Sequence, residues 1–265
     1  MSINLQQATS DRVQSWERNT GEAMSPAAAL AEVQDLIVDS FRGKPVRVYE
    51  AGGGSVSSIP LDRLESYRIT VVDIDEVQLR QNGYADEKVL GNIETHQFPP
   101  NSFDLVVCHN VLEHLEAADQ AVRRFYEALA PGGLVFISAP NPGSFSGMVT
   151  KCTPHWFHVW VYRVLLRDKN AGKPGQHPFR TVYHPIVTPK ELLKFSKSLG
   201  FEVLHFNQFL GKNLTELRQS RPLLGRSIES GITFLDLLTL RRLPLLLGDY
   251  HVVLRKPGRG EDGDV

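Results

Sequence analysis

The 265-residue chain has little cysteine, only Cys108 and Cys152. Two thiols far apart in sequence provide neither a framework of disulfide bonds nor a cluster of thiolate metal ligands. We therefore expect two reduced thiols, and the sequence predicts no metal site.

An excess of charge is also missing, because 29 Lys and Arg residues face 30 Asp and Glu residues and the sequence pI is about 6.8. A nucleic-acid partner normally requires a positive field on the protein surface. The composition therefore predicts no nucleic-acid partner.

Long apolar segments are absent as well. No stretch reaches the ~20 apolar residues that a membrane-spanning helix needs. Residues 1–7 lack the basic start and the apolar centre of a signal peptide. We expect a cytoplasmic protein, and 42% hydrophobic residues are enough for the core of one domain with insertions.

What the chain does contain is a strand, a glycine turn and a second strand that ends in an acid. The first strand leads into Glu50-Ala51-Gly52-Gly53-Gly54, and the second runs from Ile69 to Asp73. Glycines let the backbone approach a ligand closely, and an acid at the end of the second strand can accept both hydroxyls of a ribose. This pattern predicts a nucleoside ligand bound to an α/β sheet.

The residues around the glycines indicate which nucleoside. A dinucleotide site has a third glycine and a long helix behind it, whereas Pro60 would interrupt a helix here. Glu50 would repel phosphates and attract an ammonium group. The pattern therefore favours S-adenosyl-L-methionine (SAM), which carries an amine and a sulfonium, over NAD.

The motifs of residues 44–140 resemble those of class I SAM-dependent methyltransferases, in particular the type 11-like enzymes that act on small molecules. The resemblance rests on five segments in order, which are residues 50–54, 72–74, 91–93, 103–115 and 129–133. It implies an α/β fold with a Rossmann-like, mostly parallel seven-stranded sheet, an antiparallel last strand and lid insertions. It also implies that the protein is an enzyme of small-molecule biosynthesis with SAM as cofactor.

The resemblance also assigns cofactor-binding residues. The methionine end of the cofactor is assigned to Glu50, Ala51, Gly52 and Gly54, and the ribose is assigned to Asp73. The adenine is assigned to Ile74, Asn92 and Ile93, and the surroundings of the sulfonium are assigned to His109 and Asn110. Asn92 stands where relatives often have an aspartate, and its amide oxygen can still accept a hydrogen bond from the adenine amine.

We expect a division of the chain into a SAM-binding core and added segments. The predicted parts are an N-terminal helical cap (1–43), the core (44–140), an acceptor lid insertion (141–188), the C-terminal part of the core (189–256) with a hydrophobic cap insertion (207–248), and a disordered tail (257–265). Insertions of this length usually form lids or caps.

Histidines are the candidates for catalysis, because a hydroxyl acceptor needs a base. Residues 109–114 resemble the E-V-x-E-H stretch of ubiquinone-pathway O-methyltransferases, in which the carboxylates and the histidine can hold a divalent ion. Asn110 replaces the first carboxylate, which leaves a poorer set of ligands for a hard cation. His114 is either a general base or, with Glu113, a packing and hydrogen-bonding element under the site.

The lid insertion supplies three more candidate catalytic histidines, which are His155, His158 and His184. Aromatic residues surround them in the sequence and suggest an aromatic acceptor pocket. Because Trp156 and Trp160 are four residues apart, the alternative is that they form the small core of the lid itself.

Residues 223–247 are the most apolar part of the chain, interrupted by Arg241, Arg242 and Pro244. One interpretation is a cap helix over the acceptor cleft or a homodimer contact. The other is a peripheral membrane contact that serves a lipid-linked substrate.

Together these features predict methyl transfer from SAM to a small-molecule acceptor, at an oxygen, with an amphipathic or sugar-bearing acceptor as one option. The alternative from another class is a non-catalytic SAM-binding protein of the same fold.

Overall fold

The computed structural model describes residues 24–164, 169–172, 179–238 and 245–258. Several features predicted from the sequence lie outside these ranges. They are the N-terminal part of the helical cap, the breaks at Arg241, Arg242 and Pro244, and the tail from Arg259 onward.

Seven strands and eight helices occur in the described ranges. The strands are β1 (Pro45–Ala51), β2 (Ser66–Asp73), β3 (Glu87–Leu90), β4 (Phe103–His109), β5 (Leu129–Pro140), β6 (Glu202–Leu210) and β7 (Leu247–Arg255). The helices are α1 (Pro26–Ser40), α2 (Glu76–Gln81), α3 (Ala118–Ala128), α4 (Phe145–Cys152), α5 (His155–Val164), α6 (Pro189–Ser198), α7 (Lys212–Ser220) and α8 (Pro222–Leu238). Short 3-10 turns occur at Leu61–Arg63, Leu112–His114 and Pro185–Val187.

The strands form one sheet in the order β3-β2-β1-β4-β5-β7-β6. Strands β1 to β5 are parallel, and β7 runs antiparallel to both β5 and β6. The predicted Rossmann-like sheet with its antiparallel last strand is confirmed. Because the strand order reverses between β1 and β4, a crevice for a ligand opens there at the carboxyl ends of the strands.

The central strands are apolar because both faces of the sheet are covered. Residues Leu105 to Cys108 of β4 have no exposed surface. Their side chains alternate between two clusters, one with Phe125 of α3 and the other with Ile37 of α1. The carboxyl edge is therefore held by a rigid core.

Two insertions cover this carboxyl edge. The first contains α4, α5 and the chain at 179–187, and the second contains α7 and α8 between β6 and β7. Within the described ranges, no helix combines the length and the hydropathy that crossing a membrane requires. The division of the chain into a core and caps stays a prediction.

Candidate active site

The glycine turn after β1 has a backbone that side chains would not tolerate. Gly52 has a φ of +71°, and a Cβ there would lie 2.6 Å from Cγ2 of Val111. Gly54 has a φ of +53°, and a Cβ there would collide with the Gln78 side chain. Both conformations favour glycine, so the two residues are needed for the shape of the turn.

Three side chains hold this turn in place. Gly54 donates its N–H to Asp73 Oδ2 at 2.9 Å, while Asn82 Nδ2 donates to the Gly54 carbonyl at 2.7 Å. The Tyr84 hydroxyl donates to the Gly53 carbonyl at 3.1 Å. The sequence did not predict a role for Asn82 or Tyr84, because neither belongs to a glycine or acid motif.

Glu50 lies beneath the turn with only 3% of its surface exposed. Its Oε1 accepts hydrogen bonds from the Ser57 hydroxyl and the Ser58 N–H, at 3.1 and 3.2 Å. Its Oε2 is buried and has no hydrogen-bond partner in the described part of the chain. Burial raises the pKa of this carboxyl. A buried acceptor without a partner fits a ligand that brings a donor, as an ammonium group would.

Asp73 ends β2 beside the turn and orders the backbone on both sides of itself. Besides the Gly54 contact, its Oδ1 accepts the N–H of Asp75 at 2.8 Å. A carboxylate oxygen has two lone pairs, so each oxygen can still accept one hydroxyl of a ribose. The position suits the predicted role and shows that the side chain also shapes the turn.

The residues predicted around the adenine differ in exposure. Ile74 is 74% exposed just beyond β2, whereas Ile93 is 4% exposed and belongs to the core. The Asn92 amide is engaged with Glu94, whose N–H donates to Asn92 Oδ1 at 2.8 Å. Ala51 is buried within β1. Ile74 is therefore one apolar surface available to a flat ring at this edge.

His109 and Asn110 follow at the end of β4. Burial, with the Lys212 charge as a smaller cause, lowers the pKa of His109 to about 4. The imidazole is therefore neutral at pH 7 and does not repel a cationic cofactor. Asn110 has a φ of +56°, and its side chain accepts a hydrogen bond from Ser138 Oγ at 3.1 Å.

A cavity of about 630 Å³ opens beside Asn110, beneath both insertions. Its polar lining includes Asn110, Glu113, His114, Thr150, His158, Thr181, Tyr183, Lys212 and Asp249. Its apolar lining includes Phe145, Val149, Phe157, Val161, Leu214, Ile228, Ile232 and Leu245. The cavity thus has a polar part next to β4 and an apolar part beneath the helices of the insertions.

Glu113 and His114 lie side by side in the polar part. Burial raises the pKa of Glu113 to about 8, and the charge of Asp249 acts in the same direction. His114 Nδ1 is 2.7 Å from the Arg180 carbonyl, and its Nε2 is 3.6 Å from Glu113 Oε1. Because a carbonyl only accepts, Nδ1 carries a proton and Nε2 faces the carboxyl.

Asp249 and Lys212 form a second ionisable group in the cavity, which the sequence did not indicate. The Lys212 N–H donates to Asp249 Oδ2 at 2.9 Å. Burial nevertheless raises the pKa of Asp249 to about 6. Within the described ranges, no group of three or more His, Cys, Asp and Glu side chains is arranged to hold a metal ion.

The four predicted catalytic histidines do not come together. His114 and His158 line the cavity, and His158 Nε2 is 2.7 Å from the Thr153 hydroxyl. His155 is exposed and lies outside the lining. His184 caps the turn at 185–187 and points its Nε2 to Asp119 of α3 at 3.7 Å. His155 and His158 are three residues apart on α5 and their ring centroids are 6.4 Å apart, but only His158 lines the cavity. The capping position fixes His184 elsewhere.

Comparison with known proteins agrees with this arrangement. Residues 50–137, which run from Glu50 to the middle of β5, match a family model described as a methyltransferase domain. Residues 50–137 are therefore similar to a methyltransferase domain. This domain contains the glycine turn, Asp73 and the end of β4, so the resemblance to class I, type 11-like methyltransferases is confirmed.

Relatives and solved structures are similar to this methyltransferase domain. A ubiquinone biosynthesis O-methyltransferase of Pseudomonas paraeruginosa is 27% identical over 171 residues, which cover 61% of this chain and 66% of the relative. Its counterpart in Idiomarina loihiensis is 27% identical over 179 residues, with 64% and 66% covered. A SAM-dependent methyltransferase structure from Archaeoglobus fulgidus has a TM-score of 0.53 at 19% identity and covers 88% of this chain and 95% of that one.

The match therefore spans just under two thirds of the length of these curated relatives. The structural similarity supports the fold of the methyltransferase domain. SAM as the cofactor of this domain is confirmed.

Proposed function

We propose that this protein is an enzyme that transfers the methyl group of SAM to a hydroxyl oxygen of a small amphipathic acceptor. The observation that carries this proposal is the pair Glu113 and His114, which lines the cavity beside the end of β4. The names of the relatives, ubiquinone biosynthesis O-methyltransferases, support oxygen as the methylated atom.

The cofactor supplies an electrophilic methyl carbon on a sulfonium. For its binding we assign the glycine turn, Glu50 and Asp73, with Glu50 Oε2 accepting from the amine and Asp73 accepting from the ribose. Ile74 would pack on the adenine, and the neutral His109 would lie near the sulfonium. The fit rests on the unpartnered buried oxygen of Glu50 and on the two lone pairs left at Asp73.

Proton removal from the acceptor is the task of the cavity residues. When a hydroxyl becomes an ether, the O–H bond breaks and a C–O bond forms, so the proton must pass to a base. His114 has its Nδ1 proton fixed on the Arg180 carbonyl, and Nε2 is therefore the basic atom. We assign Nε2 as the proton acceptor and the Glu113 carboxyl, 3.6 Å away, as its partner.

The lid holds this pair in position. The N–H groups of Val182 and Tyr183 both donate to the Glu113 carbonyl, at 2.9 and 3.1 Å. The Arg180 carbonyl contacts His114 from the same segment. The lid therefore covers part of the base and fixes its orientation, while 28% of the His114 side chain stays exposed.

The division of the cavity indicates the class of acceptor. Hydroxyl and amide groups at Asn110, Thr150 and Thr181 match a head group with hydroxyls, such as a phenol or a sugar. The apolar wall beneath α5 and α8 matches a hydrocarbon portion of the same molecule.

The test is a turnover assay with purified protein, SAM and a set of amphipathic phenols, alcohols and glycosides. We expect formation of S-adenosylhomocysteine, measured by mass spectrometry, only with acceptors that have a free hydroxyl. Matched acceptors whose hydroxyl is already methylated are the control. His114→Asn should lower kcat while calorimetry gives an unchanged Kd for SAM.

The alternative, a SAM-binding protein without turnover, gives a different result. SAM would bind in the calorimeter, yet no acceptor would produce S-adenosylhomocysteine. Cytoplasmic localisation, the lack of a nucleic-acid partner and a homodimer through 223–247 stay predictions.

A further inference from the structure

Helix α5 has an exposed apolar side. Trp156, Trp160 and Val164 follow one another at intervals of four residues and are 70%, 49% and 45% exposed. Residues four apart on a helix lie on the same side. On another side of the helix, Phe157 and Val161 line the acceptor cavity. The same helix therefore has one apolar side on the cavity and a second one in water.

Helix α8 repeats this arrangement. Leu223, Phe234 and Leu238 are 83%, 61% and 66% exposed and lie within one sector of the helix. Ile228 and Ile232 line the cavity from another sector. An amphipathic surface helix normally shows polar residues to water, so large exposed apolar groups indicate a contact with another apolar phase.

The end of α5 lies next to the start of α8. Arg221, directly before α8, donates from Nη2 to the carbonyl of Val164 at the end of α5, at 3.4 Å. We call the combined surface the apolar rim. It consists of Trp156, Trp160, Val164, Leu223, Leu224, Phe234, Leu235, Leu237 and Leu238.

Charge is distributed to match an anionic surface. The lid insertion, residues 141–188, contains six Lys or Arg residues and a single acid, Asp168, although the whole chain has a net charge of −1. The described basic residues of this segment include Arg163, which is exposed in the last turn of α5, and Lys151, which is exposed at the end of α4 with its ammonium over the Tyr183 ring. Basic residues beside exposed tryptophans are typical of helices that lie in the interface of an anionic bilayer.

We propose that the apolar rim docks the protein on an anionic lipid surface, with α5 and α8 lying in the interface. No membrane crossing is involved, since the rim belongs to the outer sides of short helices. A second step rests on the proposed function. Because α5 and α8 form both the apolar rim and the apolar wall of the cavity, the docking indicates an amphipathic acceptor that enters the cavity from the lipid.

The experiment is co-sedimentation of the full-length protein with vesicles, without SAM or acceptor. One vesicle type contains phosphatidylcholine alone, and the other contains added phosphatidylglycerol. We expect binding to the anionic vesicles, with a decrease when the ionic strength rises from about 0.1 M to about 0.5 M. The double variant Trp156→Ser with Trp160→Ser should bind about tenfold or more weakly.

A matched control is Tyr67→Ser, which removes an exposed aromatic residue at the opposite edge of the sheet, in β2. Its vesicle binding should equal that of the wild type. Phe234→Ser with Leu238→Ser tests α8 independently of α5. Circular dichroism and calorimetry with SAM confirm that each variant is folded.

Three outcomes would overturn the docking proposal. The first is that the protein sediments with neither vesicle type, and the second is that the wild type and both rim variants bind vesicles equally. The third is that light scattering shows a dimer of the wild type and monomers of the rim variants, while none of the proteins binds vesicles. Turnover with short-chain soluble acceptors is measured separately. Lack of vesicle binding with turnover intact would refute the docking alone, whereas lack of turnover with vesicle binding intact would refute the proposed function.

Discussion

Replacing Glu113 with glutamine should stabilise the protein in a manner that depends on pH. The folded state raises the pKa of this carboxyl from its ordinary 4.5 to about 8, because the side chain is buried in the cavity wall. Between these two values the unfolded chain ionises the group and the folded chain does not. Ionisation therefore favours unfolding, and the contribution of Glu113 to stability is lost as pH rises from 4.5 to 8.

The size of the effect follows from the two pKa values. One pKa unit corresponds to about 1.4 kcal/mol, so the cost at pH 7 is about 3 kcal/mol and the cost at pH 8 is about 5 kcal/mol. Glutamine has nearly the same shape and does not ionise. Its extra amide donors need partners, and leaving one unpaired costs about 1–3 kcal/mol at every pH.

The dependence on pH of the difference in unfolding free energy is therefore a sharper measure than its value at any one pH. Urea unfolding of both proteins at several pH values from 5 to 8.5 gives the difference in unfolding free energy. We expect this difference to rise in favour of Glu113→Gln by about 1.4 kcal/mol for each pH unit up to pH 8 and then to level off. The same variant should lose turnover, because the partner of His114 can no longer share a proton.

Glu216→Gln is the matched control, since this carboxylate lines the same cavity but 41% of its side chain is exposed. Its difference in unfolding free energy should show no comparable slope. A difference for Glu113→Gln that stays constant from pH 5 to 8.5 would refute the argument, because it would mean that the carboxyl ionises equally in both states.

Three further predictions concern the turn and the sheet. Gly52→Val should abolish SAM binding in calorimetry, because a side chain meets Val111 at a φ of +71°, and an unchanged Kd would contradict this. Asn82→Ala should weaken SAM binding about fivefold or more by releasing the Gly54 carbonyl, with a normal melting curve as the control for folding. Burial lowers the pKa of His251 to about 3, so the contribution of His251 to stability should decrease by about 2 kcal/mol as pH falls from 6.5 to 5. His251→Leu should flatten that decrease in urea unfolding, and parallel pH profiles would speak against it.

The parts of the site that sequence analysis predicted are those that local geometry determines. Gly52 directly follows β1 and Asp73 ends β2, and the strand pairing then places them at one edge. Asn82, Tyr84 and Asp249 reach the site through contacts between distant segments. No periodicity or short motif indicates such contacts, so these residues could not be predicted from the sequence.

In the lid, the sequence predicted more site residues than the structure brings to the cavity. The sequence grouped the histidines of the lid because they are frequent there, yet only His158 of that group reaches the cavity. The rotation of α5 and the start of the turn at 185–187 decide which ring points inward. Trp156 and Trp160, predicted as pocket or lid core, are 70% and 49% exposed, and both rings contact that of Phe157.

The buried carboxyls locate the function more clearly than any motif. Among the carboxyl groups of the described ranges, those whose pKa burial raises are Glu50, Glu113 and Asp249. Glu50 lies in β1, Glu113 lies in the turn after β4, and Asp249 lies in β7. All three lie at the carboxyl edge, since Asp249 in the antiparallel β7 pairs with Pro140 at the end of β5. A core would be more stable with apolar residues at these positions, so their clustering at one edge indicates that the edge serves binding and proton transfer.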